Sequence, residues 1–257
     1  MEYGQSLKNR IHFIDEIRGF AVLCMIIYHG FYLFGSFFEN ETAMRIFEFF
    51  MPVQPIFAGV FIFICGMSCT FSKNNVRRGL ILLGIALGMT LVTTLIMPAA
   101  GFTGCEIYFG ILHFLAVSVL LFSVLSKPLF GVMPFIGIIF CAVLYAFTSG
   151  IESGTLSYGE LFSLTLPQSL YETNVLMPLG IHTKDFTAAD YFPLFPQIFI
   201  FFSGAFSGMY LSQKGYPDWS KAKRIPFFSF LGRNALIIYV VHMPVIYAVG
   251  YVIYAII

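Results

Sequence analysis

Residues 15–29 read DEIRGFAVLCMIIYH, and the fold follows from what this stretch is. An acid, a base and an imidazole enter a run that is otherwise as apolar as lipid. From Arg18 to His29 is 11 positions, close to three turns at about 3.6 residues per turn, so both side chains share one helix face about 16 Å apart. Asp15, three positions before Arg18, falls near the same stripe. A histidine that deep in an apolar helix, aligned with a charged pair at one end, is the feature to explain.

The composition places that helix in a membrane. Apolar residues make up 58% of the 257 positions, charged residues only 11%, and mean hydropathy is +0.85, far from a soluble domain. Phe alone supplies 32 residues, which suits helices packed in lipid. A net charge of +1 without a basic, aromatic-interleaved cluster points away from nucleic acid. Four of the five cysteines (Cys24, Cys65, Cys69, Cys141) lie in apolar runs and Cys105 in a loop, so they read as packing residues rather than a disulfide framework. The first apolar run follows Asp15, Glu16 and Arg18 and is long enough to span, which is unlike a cleaved signal.

Seven runs approach the roughly 20 residues that a hydrocarbon core requires: near 18–38, 52–71, 79–98, 107–126, 129–148, 193–212 and 231–255. Pro52, Pro128 and Pro193 sit at or beside their starts, where a missing N–H matters least. The expected fold is therefore an all-α integral membrane protein, a bundle of about seven transmembrane helices forming one domain over residues 1–257. An inside N-terminus puts Lys8, Arg10, Arg18, Lys73, Arg77, Arg78, Lys127, Lys214, Lys221, Lys223, Arg224 and Arg233 in the cytoplasm and only Arg45 and Lys184 outside. That bias predicts an N-terminus cytoplasmic and a C-terminus outside. Residues 149–192 form one long outer loop, rich in Gly, Ser, Thr, Tyr and acids. Its Leu161, Phe162, Leu164, Leu166, Leu170, Leu176 and Met177 predict short helices lying on the outer surface.

Ionisable residues inside spans are costly and raise functional hypotheses. His29 and His242 fall near the middle of the first and last spans, and His113 in the outer half of the fourth. The plain alternative for each is a core histidine bonded to a hydroxyl or carbonyl. Asp15 and Arg18 could equally pair with each other or with headgroups as an interfacial anchor. The functional reading needs Arg18 to hold an anion at the mouth of a cavity, a task its planar fork suits. Gly59, Gly66 and Ser68 in the second span serve either close packing or a narrow channel for a thin ligand. Asp190 follows Thr187 by three residues, so it reads as a helix-start cap or a substrate ligand. With no HxxxH or CxxC and histidines scattered over different segments, no metal is expected.

Several blocks together resemble a known family. Asp15-Glu-Ile-Arg-Gly through His29, Phe63-Ile-Cys-Gly-Met-Ser68, Phe109-Gly-Ile-Leu-His-Phe114, Asp190-Tyr-Phe-Pro-Leu-Phe-Pro196 and Leu231-Gly-Arg-Asn through His242-Met-Pro244 look like the heparan-α-glucosaminide N-acetyltransferase catalytic-domain family, in that family's order. The Arg18-to-His29 spacing also resembles the wider acyltransferase-3 family. Three departures stand out: Gln197 replaces an aromatic after the second Pro of the fourth block, Asn234-Ala235 replaces a His/Ser-type pair, and residues 30–48 contain no histidine. Animal members of the family carry the proposed catalytic histidine in the loop after the equivalent span, so the resemblance places the chemistry on His29 through the bacterial-type pattern.

The resemblance implies transfer of an acyl group, typically acetyl, from cytoplasmic acyl-CoA (acetyl-CoA as co-substrate) to a carbohydrate acceptor on the other side. On that reading Arg18, with Arg78 and Arg233, holds the phosphates, and Ser68 lines the path of the pantetheine arm. His29 is the catalytic base or acyl carrier, with Asp15 orienting Arg18. His113, Asp190, Asn234 and His242 bind the acceptor or support His29. The expected partners are acyl-CoA, the sugar or glycan and the lipid bilayer, with no nucleic acid and with a homo-oligomer admitted. The expected location is the bacterial cytoplasmic membrane, multi-pass, in the service of cell-envelope carbohydrate modification. Two rivals use the same residues: a transporter or channel with a buried histidine path, and a non-catalytic membrane subunit of a glycan-modifying complex. The absence of an evident internal repeat counts against transport.

Overall fold

A backbone in lipid must satisfy its polar groups within its own segment, and apolar runs of this length do so as helices. The structure, a computed structural model, describes residues 10–101, 103–159 and 161–256; Lys8 lies outside the described residues. The main helices are α1 (His12–Ser36), α2 (Glu41–Phe50), α3 (Gln54–Cys69), α4 (Asn75–Leu91), α5 (Ile111–Phe130), α6 (Pro134–Thr148), α7 (Gln197–Lys214), α8 (Pro226–Arg233) and α9 (Ala235–Ile256). A π-helical turn at Val92–Ile96 carries α4 on to Ala99. There the Thr93 and Thr94 hydroxyls donate back to the Met89 and Thr90 carbonyls at 2.9 and 2.7 Å, and Pro98 offers no N–H to the ladder.

Among the described residues five helical stretches are long and apolar enough to cross a membrane: His12–Ser36, Asn75–Ala99, Ile111–Phe130, Pro134–Ser153 and Ala235–Ile253. A sixth would be the pair α2 and α3, bent by 57° between them. The expectation of seven is thus met by only five or six on length and composition. The shortfall is α7, which occupies the expected sixth span but is 18 residues long and diluted by Ser203, Ser207, Ser212, Gln213 and Lys214. Three boundaries also differ. α1 begins at His12, so Asp15 and Arg18 sit inside the helix rather than at its edge. Pro128 lies in the last turn of α5 instead of starting the next helix, a role that Pro134 takes. The stretch expected as an outer loop after residue 38 is α2, an amphipathic helix capped by the Asn40 side chain, which accepts from the Ala43 N–H at 2.9 Å.

The long segment after α6 is also unlike the expectation. Instead of surface helices alone it combines three short 3-10 turns (Ile151–Ser153, Gln168–Tyr171, Met177–Leu179) with an antiparallel hairpin, β1 (Thr155–Tyr158) against β2 (Phe162–Thr165), in register from Thr155↔Thr165 to Tyr158↔Phe162. Gly154 and Gly180, at φ +77° and +97°, end two of the turns in a conformation other residues resist.

The chain divides into two compact units, one of Met1–Ile64 with Lys214–Ile257 and one of Cys65–Gln213. In the first, α8 lies against α1 at a pair of glycines. A Cβ on Gly19 would strike the Phe228 carbonyl, and one on Gly232 the Asp15 carbonyl, so the backbones themselves are in contact. α2 folds back on α1 through Phe47, whose ring lies 4.7 Å from Tyr28 and 5.2 Å from Tyr32. In the second unit α4 packs on α5, and α7 buries Ile198, Phe201, Gly204, Ala205, Phe206, Gly208 and Met209. A Cβ at Gly66 would meet the Phe201 carbonyl, so the packing reading holds for that glycine.

Candidate active site

The charged end of α1 is a network around a buried carboxylate. Asp15, 5% exposed, accepts from Arg10 Nε at 2.6 Å and from Arg18 Nη1 at 3.1 Å. Arg18 also reaches the Gly232 carbonyl at 3.4 Å, so the guanidinium is held between its own helix and α8. Two cations around one carboxylate offset the large penalty of taking Asp15 out of water. Glu16, a residue for which no role was expected, is equally buried. Its Oε1 accepts from the Arg224 and Ile225 backbone N–H groups at 2.8 and 2.9 Å, fixing the entry into α8. Consecutive helix positions point about 100° apart, which is why adjacent acids serve different neighbours. The bare Asp-Glu pair was the sequence signal for that division.

Further along α1, His29 meets α9. His242 is 7% exposed and its Nδ1 lies 2.6 Å from the carbonyl of Tyr239, one turn earlier in its own helix. Its Nε2 lies 3.0 Å from His29 Nδ1, and the two rings are 5.0 Å apart and tilted by 36°. His29 itself is half-buried. Because α1 is continuous, His29 stands about 16 Å along the axis from Arg18. The structure therefore brings two of the expected histidines into direct contact across 213 positions of sequence.

Arg233 and Asn234, also in this first unit, close α8: Arg233 Nε donates to the Ser229 carbonyl at 3.2 Å and Asn234 Nδ2 to the Phe230 carbonyl at 2.9 Å. Both are typical of a helix C-terminus, where unmatched carbonyls attract donors.

The second unit holds the other candidates. His113 sits at the start of α5, its Nδ1 accepting from the Gly110 N–H at 3.3 Å and its Nε2 lying 3.1 Å from Thr90 Oγ1. Both ring nitrogens are thus engaged at home. Asp190 Oδ2 accepts from the Ile111 N–H at 3.1 Å. It caps the N-terminus of α5 rather than the helix that follows it in sequence, so the local Thr187–Asp190 cap is replaced by a long-range one. Residues Phe109 and Tyr191 form a parallel bridge beside it, which brings His113 and Asp190 to one place. Arg78 Nη1 lies 3.8 Å from the Cys69 sulfur, and Ser68 is half-buried near the end of α3.

Sequence reasoning gave no role to His182. Its Nδ1 lies 2.9 Å from the Thr183 carbonyl and its ring packs 4.9 Å from Phe186 and 5.3 Å from Tyr191. The Tyr191 hydroxyl donates to the Met177 carbonyl at 2.8 Å. Burial, and then the nearby Glu152 carboxylate, push this phenol above its ordinary value. A loop without periodicity gave no signal for this aromatic cluster. Among the described residues no three His, Cys, Asp or Glu side chains converge to hold a metal.

A family model described as heparan-alpha-glucosaminide N-acetyltransferase, catalytic, matches residues 10–244. The chain belongs to this family. No curated protein and no solved structure matches it significantly. The matched stretch runs from Arg10, which pairs with Asp15, to Pro244, two residues beyond His242, so it contains every candidate named above. Membership in the heparan-alpha-glucosaminide N-acetyltransferase family, with several membrane-length apolar helices, means an integral membrane protein of a transmembrane acetyltransferase family.

Proposed function

We infer that this protein moves an acetyl group from cytoplasmic acetyl-CoA to an extracytoplasmic sugar or glycan, in the bacterial cytoplasmic membrane. The observation that carries the reading is the His29 imidazole, held against His242 within an apolar helix three turns beyond a half-buried arginine that is ion-paired to a buried carboxylate. Such a stripe suits a co-substrate with an anionic head and a long thin arm. Arg18, oriented by Asp15 and the Gly232 carbonyl, binds phosphate, with Arg233 assisting. The arm runs along the α1 stripe and presents its thioester at His29. There the imidazole acts as general base on the acceptor hydroxyl or amine. His242 supports His29, and Asn234, two residues beyond the Gly232 carbonyl that Arg18 reaches, belongs to the phosphate end of the stripe rather than to the acceptor side. Asp15 works through Arg18, because about 21 Å of helix separates it from His29.

The topology proposed with it is a single domain with seven spans, N-terminus inside and C-terminus outside, with α7 as the sixth in chain order and α9 as the last. A span whose face is buried against its own protein needs less hydropathy than one facing lipid, and seven residues of α7 are buried.

His29→Ala tests the chemistry. In membranes or proteoliposomes supplied with labelled acetyl-CoA and a panel of amino sugars and glycans, transfer should fall by about 10²-fold or more, the range general-base catalysis supplies. Transfer at the wild-type rate would remove His29 from the mechanism. Solute flux without any dependence on acetyl-CoA would replace the acyltransferase reading with transport.

A further inference from the structure

Building on the acyltransferase reading, we propose that His242 is a positioning residue that leaves Nε2 of His29 as the reacting atom. A backbone carbonyl only accepts, so the 2.6 Å contact between His242 Nδ1 and the Tyr239 carbonyl places a proton on Nδ1. A neutral imidazole has one N–H, which leaves His242 Nε2 as a lone pair. That lone pair lies 3.0 Å from His29 Nδ1, which must then provide the hydrogen. His29 is thereby held in its Nδ1–H form, with an unprotonated Nε2. A free imidazole prefers the opposite tautomer, with the proton on Nε2, so the contact inverts the intrinsic preference.

His242 is well placed to do this. It is 7% exposed and its rotamer is fixed by a carbonyl of its own helix, so its lone pair has one direction. The chain Tyr239 carbonyl, His242, His29 has the logic of a catalytic triad, in which an orienting group selects the tautomer of the base. Here the orienting group is a neutral imidazole and not a carboxylate, which fits a site within an apolar helix pair, where a lone carboxylate would be costly.

The step it supports balances as follows. The acceptor heteroatom attacks the thioester carbonyl while its proton passes to His29 Nε2. Collapse of the tetrahedral adduct breaks the C–S bond, and the departing sulfur takes that proton back from Nε2. Acyl thioester and acceptor become acylated acceptor and free thiol, and His29 returns to its Nδ1–H form. Throughout, the Nδ1–H stays bonded to His242.

The experiment uses the full chain, labelled with 15N-histidine and reconstituted in nanodiscs, and reads tautomers from the ring nitrogen shifts. The His29 signals are those lost in His29→Gln, and His113 provides the opposite tautomer as an internal reference, since its Nδ1 accepts from the Gly110 N–H. His29 should report a protonated Nδ1 and a bare Nε2. His242→Ala should convert it to the Nε2–H form and lower acetyl transfer at least about 10-fold; a wrong tautomer costs up to about 10⁴-fold in a serine-protease triad. His242→Gln, whose Oε1 accepts from Nδ1–H, should restore the tautomer and most of the rate. A wild-type His29 in the Nε2–H form overturns the proposal, and so does a tautomer that His242→Ala leaves unchanged, whatever the rate does. If His242→Ala does not fold, the wild-type spectrum and the Gln variant decide. The Nδ1–H form in a protein that transfers no acetyl group would instead remove the acyltransferase reading and leave the pairing intact.

Discussion

Single side chains decide whether the polar stripe of α1 is tolerated. Glu16 shows this most directly, since one carboxylate oxygen satisfies two backbone N–H groups at 2.8 and 2.9 Å. Glu16→Ala removes the acceptor of both donors and should destabilise by about 2–4 kcal/mol, two charge-assisted bonds at about 1.5–3 each less what water restores to the N–H groups of the exposed Arg224 and Ile225. Glu16→Gln keeps a carbonyl oxygen at the same reach and should lose less than half of that. Thermal unfolding in detergent, followed by circular dichroism, distinguishes the pair; equal losses would show that charge and not geometry holds α8. At this scale the sequence was legible where spacing within one helix sufficed, as for Asp15, Arg18 and His29. It was silent where the partner lies far along the chain. Nothing local to His242 says that it touches His29, and nothing near Asp190 says that it caps α5 instead of the next helix.

Helices as units depend on how closely their backbones approach. α1 and α8 meet at Gly19 and Gly232, where an added Cβ would run into a carbonyl of the opposite helix. Gly84, on α4, has nothing within 4 Å of the same position. Gly19→Ala should therefore destabilise by about 1–3 kcal/mol through overpacking, while Gly84→Ala should stabilise by about 0.5–1 kcal/mol through lost chain entropy alone. Opposite shifts of the unfolding midpoint are the expected result, and shifts of the same sign would contradict the crossing at Gly19. Most spans were readable within a few residues, because lipid demands length and apolarity. α2 was not, since ten residues with Glu41, Arg45 and Glu48 resemble a loop until Phe47 is seen packing on Tyr28. The hairpin of β1 and β2 escaped notice for the same reason: its partner strands are four residues each, too short for a period to show.

For the molecule as a whole, the proposed direction in the membrane makes a labelling prediction. With the N-terminus inside, Glu172→Cys in the long outer segment should react with an impermeant maleimide added to intact spheroplasts, and Lys223→Cys just before α8 should react only after lysis. The reverse pattern would invert the topology and place the acceptor on the other side. One further feature governs how the protein comes to exist at all. The carboxylate of Glu16 is satisfied by N–H groups 208 and 209 positions later, and His29 by a residue 213 positions later. At about 5–20 residues per second of synthesis, α1 waits on the order of 10–40 s in the membrane before either partner has been made. During that interval one acid, Glu16, and one imidazole, His29, lack their final partners, while Asp15 already has Arg10 and Arg18. Biogenesis thus has a vulnerable window, in which the insertion machinery must shield the first helix until the last ones arrive.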